Sequence, residues 1–147
     1  MNILVNEPPS FFIDQVFGHQ DLDHELQHLE VSYGPPNGTT LLARCDGGLC
    51  GGGAYHRLAD GTCEMKRLYV SERFKGRGVG RALGEALIES ARAASFRLMR
   101  LDTGNLLTEA IALYRKLGFR DCAPHRDYPE KLLPYLVFME LSLAHPA

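Results

Sequence analysis

The sequence predicts a single α/β domain of the mixed type, in which about four helices flank a central, largely antiparallel sheet of six to seven strands. The first observation is size, because 147 residues that are 45% hydrophobic suit one buried core. The second is a series of strand-like runs separated by short turns between residues 39 and 70. The third is helical periodicity that alternates with strand-like runs after residue 70. We therefore treat residues 1–147 as one domain.

The composition gives no indication of a nucleic-acid or membrane partner. The chain has 16 Lys and Arg against 18 Asp and Glu, so the charge of any ligand must be met locally. No apolar run approaches the roughly 20 residues that span a bilayer, and no signal-like segment begins the sequence. The four cysteines lack CxxC spacing. We expect a reduced, soluble, cytoplasmic protein.

The N-terminal half predicts a strand, two helices and three more strands. Residues 2–5 (NILV) suit a short strand, and residues 10–30 suit two short helices around Gly18. The turn-rich stretch YGPPNGT follows at 33–39. The runs TTLLARC, LCGGGAYHRL and TCEMKRLYV are separated by DGG and ADG turns, which predicts an antiparallel meander.

The C-terminal half alternates helices with strands. Apolar residues recur at helical spacing from Arg77 to about Ser95, and FRLMRLDT at 96–103 predicts the next strand. A short amphipathic helix is predicted next, ended by Gly118. The last apolar run, LPYLVFMELSL, predicts a terminal strand after the HRDYPE loop. The apolar positions of the short helix are Leu106, Ala110, Leu113 and Leu117.

HELQH at residues 24–28 has the local pattern of a zinc-protease helix. The rest of the extended pattern is missing, because Val31 stands where a glycine belongs and Gly34 where the last histidine belongs. On a helix both histidines face away from the apolar stripe. We therefore interpret the segment as the solvent side of an amphipathic helix and expect no metal. The stripe consists of Leu22, Leu26 and Leu29.

A glycine loop joins the strand at 62–70 to the long helix. Its sequence from Lys75 to Arg81 is KGRGVGR, and glycines at such a junction let backbone N–H groups converge on an anion. The loop lacks the GK[ST] of the Walker pattern, and Arg81 stands where the Rossmann fingerprint has its third glycine. With Arg73 and Arg77 nearby, the loop suits a ligand with several phosphates. The alternative is a glycine-rich turn with a solvated basic face.

Residues Lys75 to Gly80 resemble the acyl-CoA pyrophosphate loop of the GNAT N-acetyltransferase superfamily, whose pattern is Arg/Gln-x-x-Gly-x-Gly/Ala. KRLYV and LYRKLGF also match the family, and the likeness covers roughly residues 40–143. Lys75 departs from the pattern at a position where arginine or glutamine is usual. The resemblance implies acetyl-CoA as cosubstrate, with its pantetheine arm along the strand that ends at Val70. The implied cofactor-binding residues are Leu68, Tyr69, Val70, Lys75, Gly76, Arg77, Gly78, Val79, Gly80, Arg81 and Asn105.

Acyl transfer to an amine needs one group that takes a proton from the amine and one that gives a proton to the departing thiolate. The resemblance places Tyr114 as the acid. Glu64, roughly 13 Å back along the strand from Leu68, is the candidate base, provided that burial raises its pKa toward neutrality. Each residue has a second interpretation: Glu64 as a solvent-face charge, Tyr114 as interface packing, and Asn105 as a helix N-cap.

No Ser/His/Asp set or reactive cysteine environment is evident, so direct attack in a ternary complex is favoured over an acyl-enzyme. The acceptor is expected to be a small amine, an amino acid or a peptide amine. Two arginines suit an acceptor that carries a carboxylate, although strand arginines are often only solvated. A non-catalytic acyl-CoA sensor module remains the alternative, and a homodimer through edge strands is an open implication of the resemblance. The candidate acceptor residues are Tyr33, His56, Arg57, Arg67 and Tyr128.

Overall fold

Seven strands form one sheet in the computed structural model of the chain, which describes residues 2–5, 37–45 and 48–144. The strands are β1 (Asn2–Val5), β2 (Gly38–Cys45), β3 (Gly48–Ala59), β4 (Thr62–Val70), β5 (Leu98–Gly104), β6 (Arg120–Asp121) and β7 (Leu136–Ser142). They are arranged in the order β1-β2-β3-β4-β5-β7-β6. Only β4 and β5 pair in parallel among these strands. The predicted mixed α/β fold with a largely antiparallel sheet is confirmed.

Two α-helices lie in the described part of the chain, where about four were predicted for the whole. They are α1 (Val79–Ala93) and α2 (Thr108–Lys116), and short 3-10 turns cover Glu72–Phe74 and Leu133–Tyr135. The two helices predicted within 10–30, including HELQH, fall outside the described residues. The apolar stripe predicted for the short helix was wrong at Leu106, which precedes α2 and is 85% exposed.

Helix α1 covers one face of the sheet with its apolar side. Leu83, Leu87 and Ala91 are fully buried there, and burial of each leucine stabilises the fold by roughly 1.5–3 kcal/mol. Two glycines of β3 permit the close approach of neighbouring elements. A Cβ on Gly51 would lie 2.5 Å from the Tyr69 carbonyl oxygen, and one on Gly53 would lie 2.8 Å from Leu87 Cδ1. Gly51 and Gly53 are therefore packing requirements of the GGG run in β3.

The opposite face of the sheet carries polar side chains at its centre. His56 of β3 pairs in register with Glu64 of β4, and Glu64 pairs in register with Arg100 of β5. Side chains directly opposite each other on neighbouring strands share a face. Two residues further along β5, Asp102 lies on this same face because strand side chains alternate. The segment between β6 and β7 runs over this polar face, as the contacts described below establish.

β4 and β5 separate in the middle of the sheet. Their parallel pairing covers only Thr62 to Glu64 of β4. Beyond that point β4 contains an irregularity opposite Gly53, and Arg67 has φ 57°, a left-handed conformation that costs a non-glycine residue about 1–3 kcal/mol. The separation opens the sheet beside the C-terminal half of β4. Within the described residues, no helix is long and apolar enough to cross a membrane.

Candidate active site

A cavity of about 630 Å³ opens where the C-terminal end of β4, the glycine loop and α2 meet. Nine of the predicted cofactor-binding residues line it: Leu68, Tyr69, Val70, Lys75, Gly76, Gly78, Val79, Gly80 and Arg81. Tyr114 lines the same cavity from α2. The structure thus brings the strand end, the loop and the candidate acid together around one space. Glu64, Arg77 and Asn105 are not among its lining residues.

The glycine loop adopts a conformation that leaves room above its backbone. Gly76 and Gly78 have φ values of 82° and 79°, and a Cβ on either would meet no atom within 4 Å. Gly78 is also the N-cap of α1, whose first-turn N–H groups have no acceptor within the helix. Positive φ is readily adopted by glycine and strained for other residues. The loop therefore offers backbone donors and open space to a phosphate group, which fits the pyrophosphate of a CoA ester.

Basic side chains surround the loop, each engaged with a neighbour. Lys75 Nζ lies 2.9 Å from Glu72 Oε2, and this contact raises the pKa of Lys75. Arg81 Nε donates to Glu85 at 3.0 Å across one helical turn. The Arg77 guanidinium lies over the Phe74 ring, 5.2 Å from its centroid. Lys75 and Arg81 line the cavity together with the acidic Glu72 and Glu109, and backbone amides supply the fixed geometry of the loop.

Tyr114 combines a packed ring with a place at the cavity. Its ring meets Phe119 edge-on at 5.9 Å between centroids. Burial raises the pKa of the Tyr114 phenol, so the hydroxyl remains protonated at neutral pH. A protonated phenol beside the cavity can donate a proton. Tyr114 therefore packs against its neighbours and also lines the cavity, so the two interpretations from the sequence, interface packing and a role as acid, are compatible.

Glu64 is completely buried on the polar face and lies at the centre of a charged cluster. Its Oε1 accepts from His56 Nε2 at 3.0 Å, and Lys66 Nζ lies 3.3 Å from the same oxygen. Its Oε2 accepts from His125 Nε2 at 3.3 Å, and Arg126 Nη2 donates to Oε1. The solvent-face interpretation of Glu64 is therefore wrong. We call these five residues the Glu64 cluster.

The Glu64 cluster sets the charge of its carboxylate. Burial alone would raise the pKa of Glu64. The hydrogen bond from His56 and the charges of Lys66 and Arg126 outweigh this effect and lower the pKa to about 2. The expectation that burial would bring this pKa toward neutrality was wrong, because the sequence does not show that Lys66, Arg126 and two histidines converge on the side chain. Glu64 is thus ionised at neutral pH.

Three ligand-type atoms also meet beside this cluster. Single atoms of Glu64, Asp102 and His125 lie within 4.8 Å of one another. The donor set fits a cation poorly, since Lys66 and Arg126 already place two positive charges against the Glu64 carboxylate. An ionic network is the better description of these groups.

The candidate acceptor residues are divided between different places. Tyr33 lies outside the described residues. Arg57 points away from Glu64, because its guanidinium lies 4.9 Å from the centroid of the Phe96 ring in the core that α1 covers. Arg67 is exposed at the irregularity of β4. Tyr128 reaches the polar face, where its hydroxyl donates to Asp102 Oδ2 at 2.9 Å.

Asn105 is not the N-cap of the short helix, and its contact with the coenzyme arm stays a prediction. Its Nδ2 donates to the Pro134 carbonyl at 3.2 Å, and its backbone N–H donates to the Tyr135 carbonyl at 2.9 Å. The N-cap of α2 is Leu107. Asn105 therefore ties the end of β5 to the turn before β7.

Several residues of the site carry no motif in the sequence. Leu106 and Leu107 line the cavity with 85% and 57% of their surface exposed, respectively. Asp102, His125 and Arg126 reach Glu64 or Tyr128 only because β5 and the 122–132 segment lie beside β4 in space. The HRDYPE sequence indicated a loop at this position, but no periodicity in it could reveal which strand it would contact.

Two buried thiols are unsuited to nucleophilic attack. Burial raises the pKa of Cys50 and of Cys63 to about 12 in each case. A thiol with such a pKa stays protonated at neutral pH and is a weak nucleophile. This chemistry favours direct transfer over an acyl-enzyme on either residue.

The acetyltransferase (GNAT) family model matches residues 3–119. The chain therefore belongs to the GNAT family, and it is an N-acetyltransferase. The chain is 35% identical over 136 residues to an uncharacterized N-acetyltransferase of Schizosaccharomyces pombe, across 91% of this chain and 80% of that protein. It is 38% identical over 104 residues to the IAA acetyltransferase of Azospirillum brasilense, across 70% of this chain and 67% of that protein.

One further relative is much longer than this chain. The chain is 34% identical over 125 residues to human N-acetylaspartate synthetase; this stretch is 84% of the chain but 39% of the synthetase. Among solved structures, an acyl-CoA N-acyltransferase homologue from Klebsiella pneumoniae has a TM-score of 0.77 at 33% identity, with 97% of each chain covered. A Bacillus subtilis acetyltransferase in complex with CoA has a TM-score of 0.73 at 21% identity, across 97% of this chain and 98% of that one, and supports the fold alone.

Proposed function

We propose that this N-acetyltransferase uses acetyl-CoA and moves the acetyl group to the primary amine of a small molecule, an amino acid among the candidates, by direct attack in a ternary complex. The observation that carries the proposal is the shared cavity, in which the glycine loop, the end of β4 and the Tyr114 side chain face one space. The coenzyme supplies the acetyl thioester. Gly76, Gly78 and the first turn of α1 would hold its pyrophosphate.

Tyr114 is proposed as the proton donor. Its hydroxyl is protonated at neutral pH because burial raises the pKa of the phenol. The departing thiolate gains most from a proton donor that is already in place. The same residue packs against Phe119, so its position does not depend on a bound ligand.

Glu64 is proposed to assist proton removal from the amine as an ionised carboxylate. With a pKa of about 2 it cannot retain a proton at neutral pH. Its role in the proposal is therefore to attract the ammonium group and to orient a water that carries the proton away. The sequence left open whether Glu64 acts directly or through a water, and its low pKa favours the route through a water.

The acceptor is proposed at the level of its class. The N-acetylaspartate synthetase relatives are named for an amino-acid product, which supports including amino acids among the acceptors. The polar face also carries Lys66 and Arg126, whose side chains are 27% and 34% exposed. Either side chain can contact a polar acceptor at the edge of the Glu64 cluster.

Thiol release from acetyl-CoA tests the proposal against a panel of amines, amino acids including aspartate, and peptides. We expect turnover with at least one acceptor and no stoichiometric thiol release in its absence, since an acyl-enzyme would release CoA before the amine binds. Tight binding of CoA with no thiol release on any acceptor would favour the sensor module instead. The family assignment and the protonated Tyr114 both support the enzyme over that alternative.

A further inference from the structure

The segment from 122 to 132, here called the crossing segment, spans the point where β4 and β5 separate. Residues 122–129 lie in neither a helix nor a strand. Two of its side chains, His125 and Arg126, bind Glu64 on β4. A third, Tyr128, binds Asp102 on β5. The crossing segment therefore joins the two strands by side-chain bonds just beyond their last paired residues.

These bonds lie close to the point where the β4–β5 pairing ends, next to the coenzyme cavity. Parallel pairing of the two strands ends at Glu64 and Arg100, and Asp102 lies two residues beyond that end. The gap that follows leads to the C-terminal half of β4, which lines the coenzyme cavity through Leu68 and Val70. The crossing segment therefore lies on the polar face beside this gap.

The bonds to Glu64 and the bond to Asp102 differ in how cleanly a substitution can remove them. His125 is 2% exposed and meets Phe138 edge-on at 5.3 Å, so the Glu64 attachment is part of a buried network. Tyr128 also packs on Phe138, at 5.8 Å between centroids, and only its hydroxyl reaches Asp102. Removing that hydroxyl deletes one hydrogen bond to a carboxylate and leaves the ring in place.

We propose that Asp102 and Tyr128 are positioning residues that hold the crossing segment over the separated strands and so shape the acceptor site. The proposal rests on the proposed function, because it assigns the acceptor side of that same reaction. Tyr128 acts here through Asp102, whereas the sequence suggested only direct contact with the acceptor. The hydrogen bond to a carboxylate is of the stronger class, so its loss is large enough to measure.

The kinetic test compares Tyr128→Phe, Asp102→Ala and the double variant, with Tyr135→Phe as the matched control. Tyr135 is a 63% exposed tyrosine in the adjacent turn, outside both the Glu64 cluster and the Asp102–Tyr128 pair. We expect the KM of the acceptor to rise about tenfold in both single variants, and no further in the double variant. The KM of acetyl-CoA and the effect of Tyr135→Phe are expected to stay within twofold.

Amide hydrogen exchange tests, without any turnover, whether the Asp102–Tyr128 bond holds the crossing segment in place. The two hydrogen-bonded amides of the crossing segment, those of Cys122 and Leu132, are expected to exchange about tenfold faster in Tyr128→Phe than in the wild type, while α1 is unchanged. Unchanged exchange would overturn the proposal, and so would faster exchange with an unchanged acceptor KM. An effect confined to Tyr128→Phe, absent from Asp102→Ala, would assign Tyr128 to direct acceptor contact instead. A wild type that acetylates no amine would contradict the proposed function itself. The exchange comparison between the wild type and Tyr128→Phe would still show whether the hydrogen bond holds the crossing segment.

Discussion

Glu64 shows how far the environment of one side chain can depart from its local sequence. CEMKR indicates a charged residue on a strand, and two of its hydrogen-bond or ion-pair partners, Lys66 and His56, lie on β4 and β3. The other two, His125 and Arg126, come from a segment about 60 residues later. The sequence predicts the residue and its strand, but the sign of its pKa shift depends on contacts that only the folded chain makes.

The pH dependence of stability follows from this cluster. The pKa of Glu64 falls from 4.5 to about 2 on folding, so its contribution is fully present above pH 4.5 and is lost as the pH falls toward 2. The shift corresponds to about 2–4 kcal/mol. We expect the free energy of unfolding to differ more between the wild type and Glu64→Gln at pH 7 than at pH 3, as measured by urea denaturation.

The control for that comparison is Glu89→Gln on α1. The side chain of Glu89 is 71% exposed in a surface pair with Arg92, and such pairs contribute little. Its effect should be small at both pH values. An equal effect of Glu64→Gln at pH 7 and pH 3 would contradict the assigned ionisation of the cluster.

Tyr114 allows a separation of packing from chemistry. Phenylalanine at this position keeps the edge-on contact with Phe119 and removes only the hydroxyl. We expect Tyr114→Phe to lower kcat about 10- to 100-fold, because a positioned proton donor is replaced by solvent. The KM of acetyl-CoA and the melting temperature should change little. Steady-state thiol release measures the effect, and an unchanged kcat would remove Tyr114 from the mechanism.

At the scale of elements, β4 and the glycine loop account for most of the cavity. The run TCEMKRLYV predicted β4 with the bounds that the structure has, because its alternation and flanking turns are local signals. Its parallel pairing with β5 and the residue at which the two strands separate were not predicted. Strand pattern indicates which faces are buried, but it does not specify a neighbouring strand or where pairing ends.

The conformation of the glycine loop gives a prediction at this scale. Gly78→Ala places a methyl group in the open space above the loop at φ 79°, where a non-glycine residue is strained by about 1–2 kcal/mol. We expect affinity for CoA to fall at least tenfold, with a modest loss of stability, as measured by calorimetric titration. Gly48→Ala is the control, since its Cβ would meet only the Cys45 carbonyl oxygen at 3.8 Å. Equal CoA affinity in both variants would argue against a phosphate cradle.

At the scale of the whole molecule, the site lies at a junction of elements that are remote in sequence. The family resemblance placed the loop and Tyr114 correctly in one cavity, because both belong to contiguous motifs. It did not place Asp102 or His125, which belong to no motif and meet only through the strand order β4-β5-β7. Local patterns thus predicted the fold and most of the cavity lining, whereas the groups on the polar face depend on tertiary contacts.

Ligand linkage provides a prediction for the whole domain. A ligand that binds only the native state stabilises it by about 2.7 kcal/mol at a concentration 100-fold above its Kd. For a domain of this size, that increment raises the melting temperature by roughly 8 °C. We expect CoA to produce such a shift, and raised ionic strength to reduce it, because basic side chains line the cavity mouth.

The comparison that makes this shift diagnostic is Gly78→Ala under the same conditions. If the coenzyme binds at the loop, the variant should show a much smaller shift at the same CoA concentration, since its Kd is higher and the stabilisation falls with the ratio of concentration to Kd. Glu64→Gln should keep the full shift, because Glu64 does not line the cavity. A shift that Gly78→Ala leaves intact would place the coenzyme elsewhere, and a shift lost in Glu64→Gln would mean that the polar face and the cavity are energetically coupled.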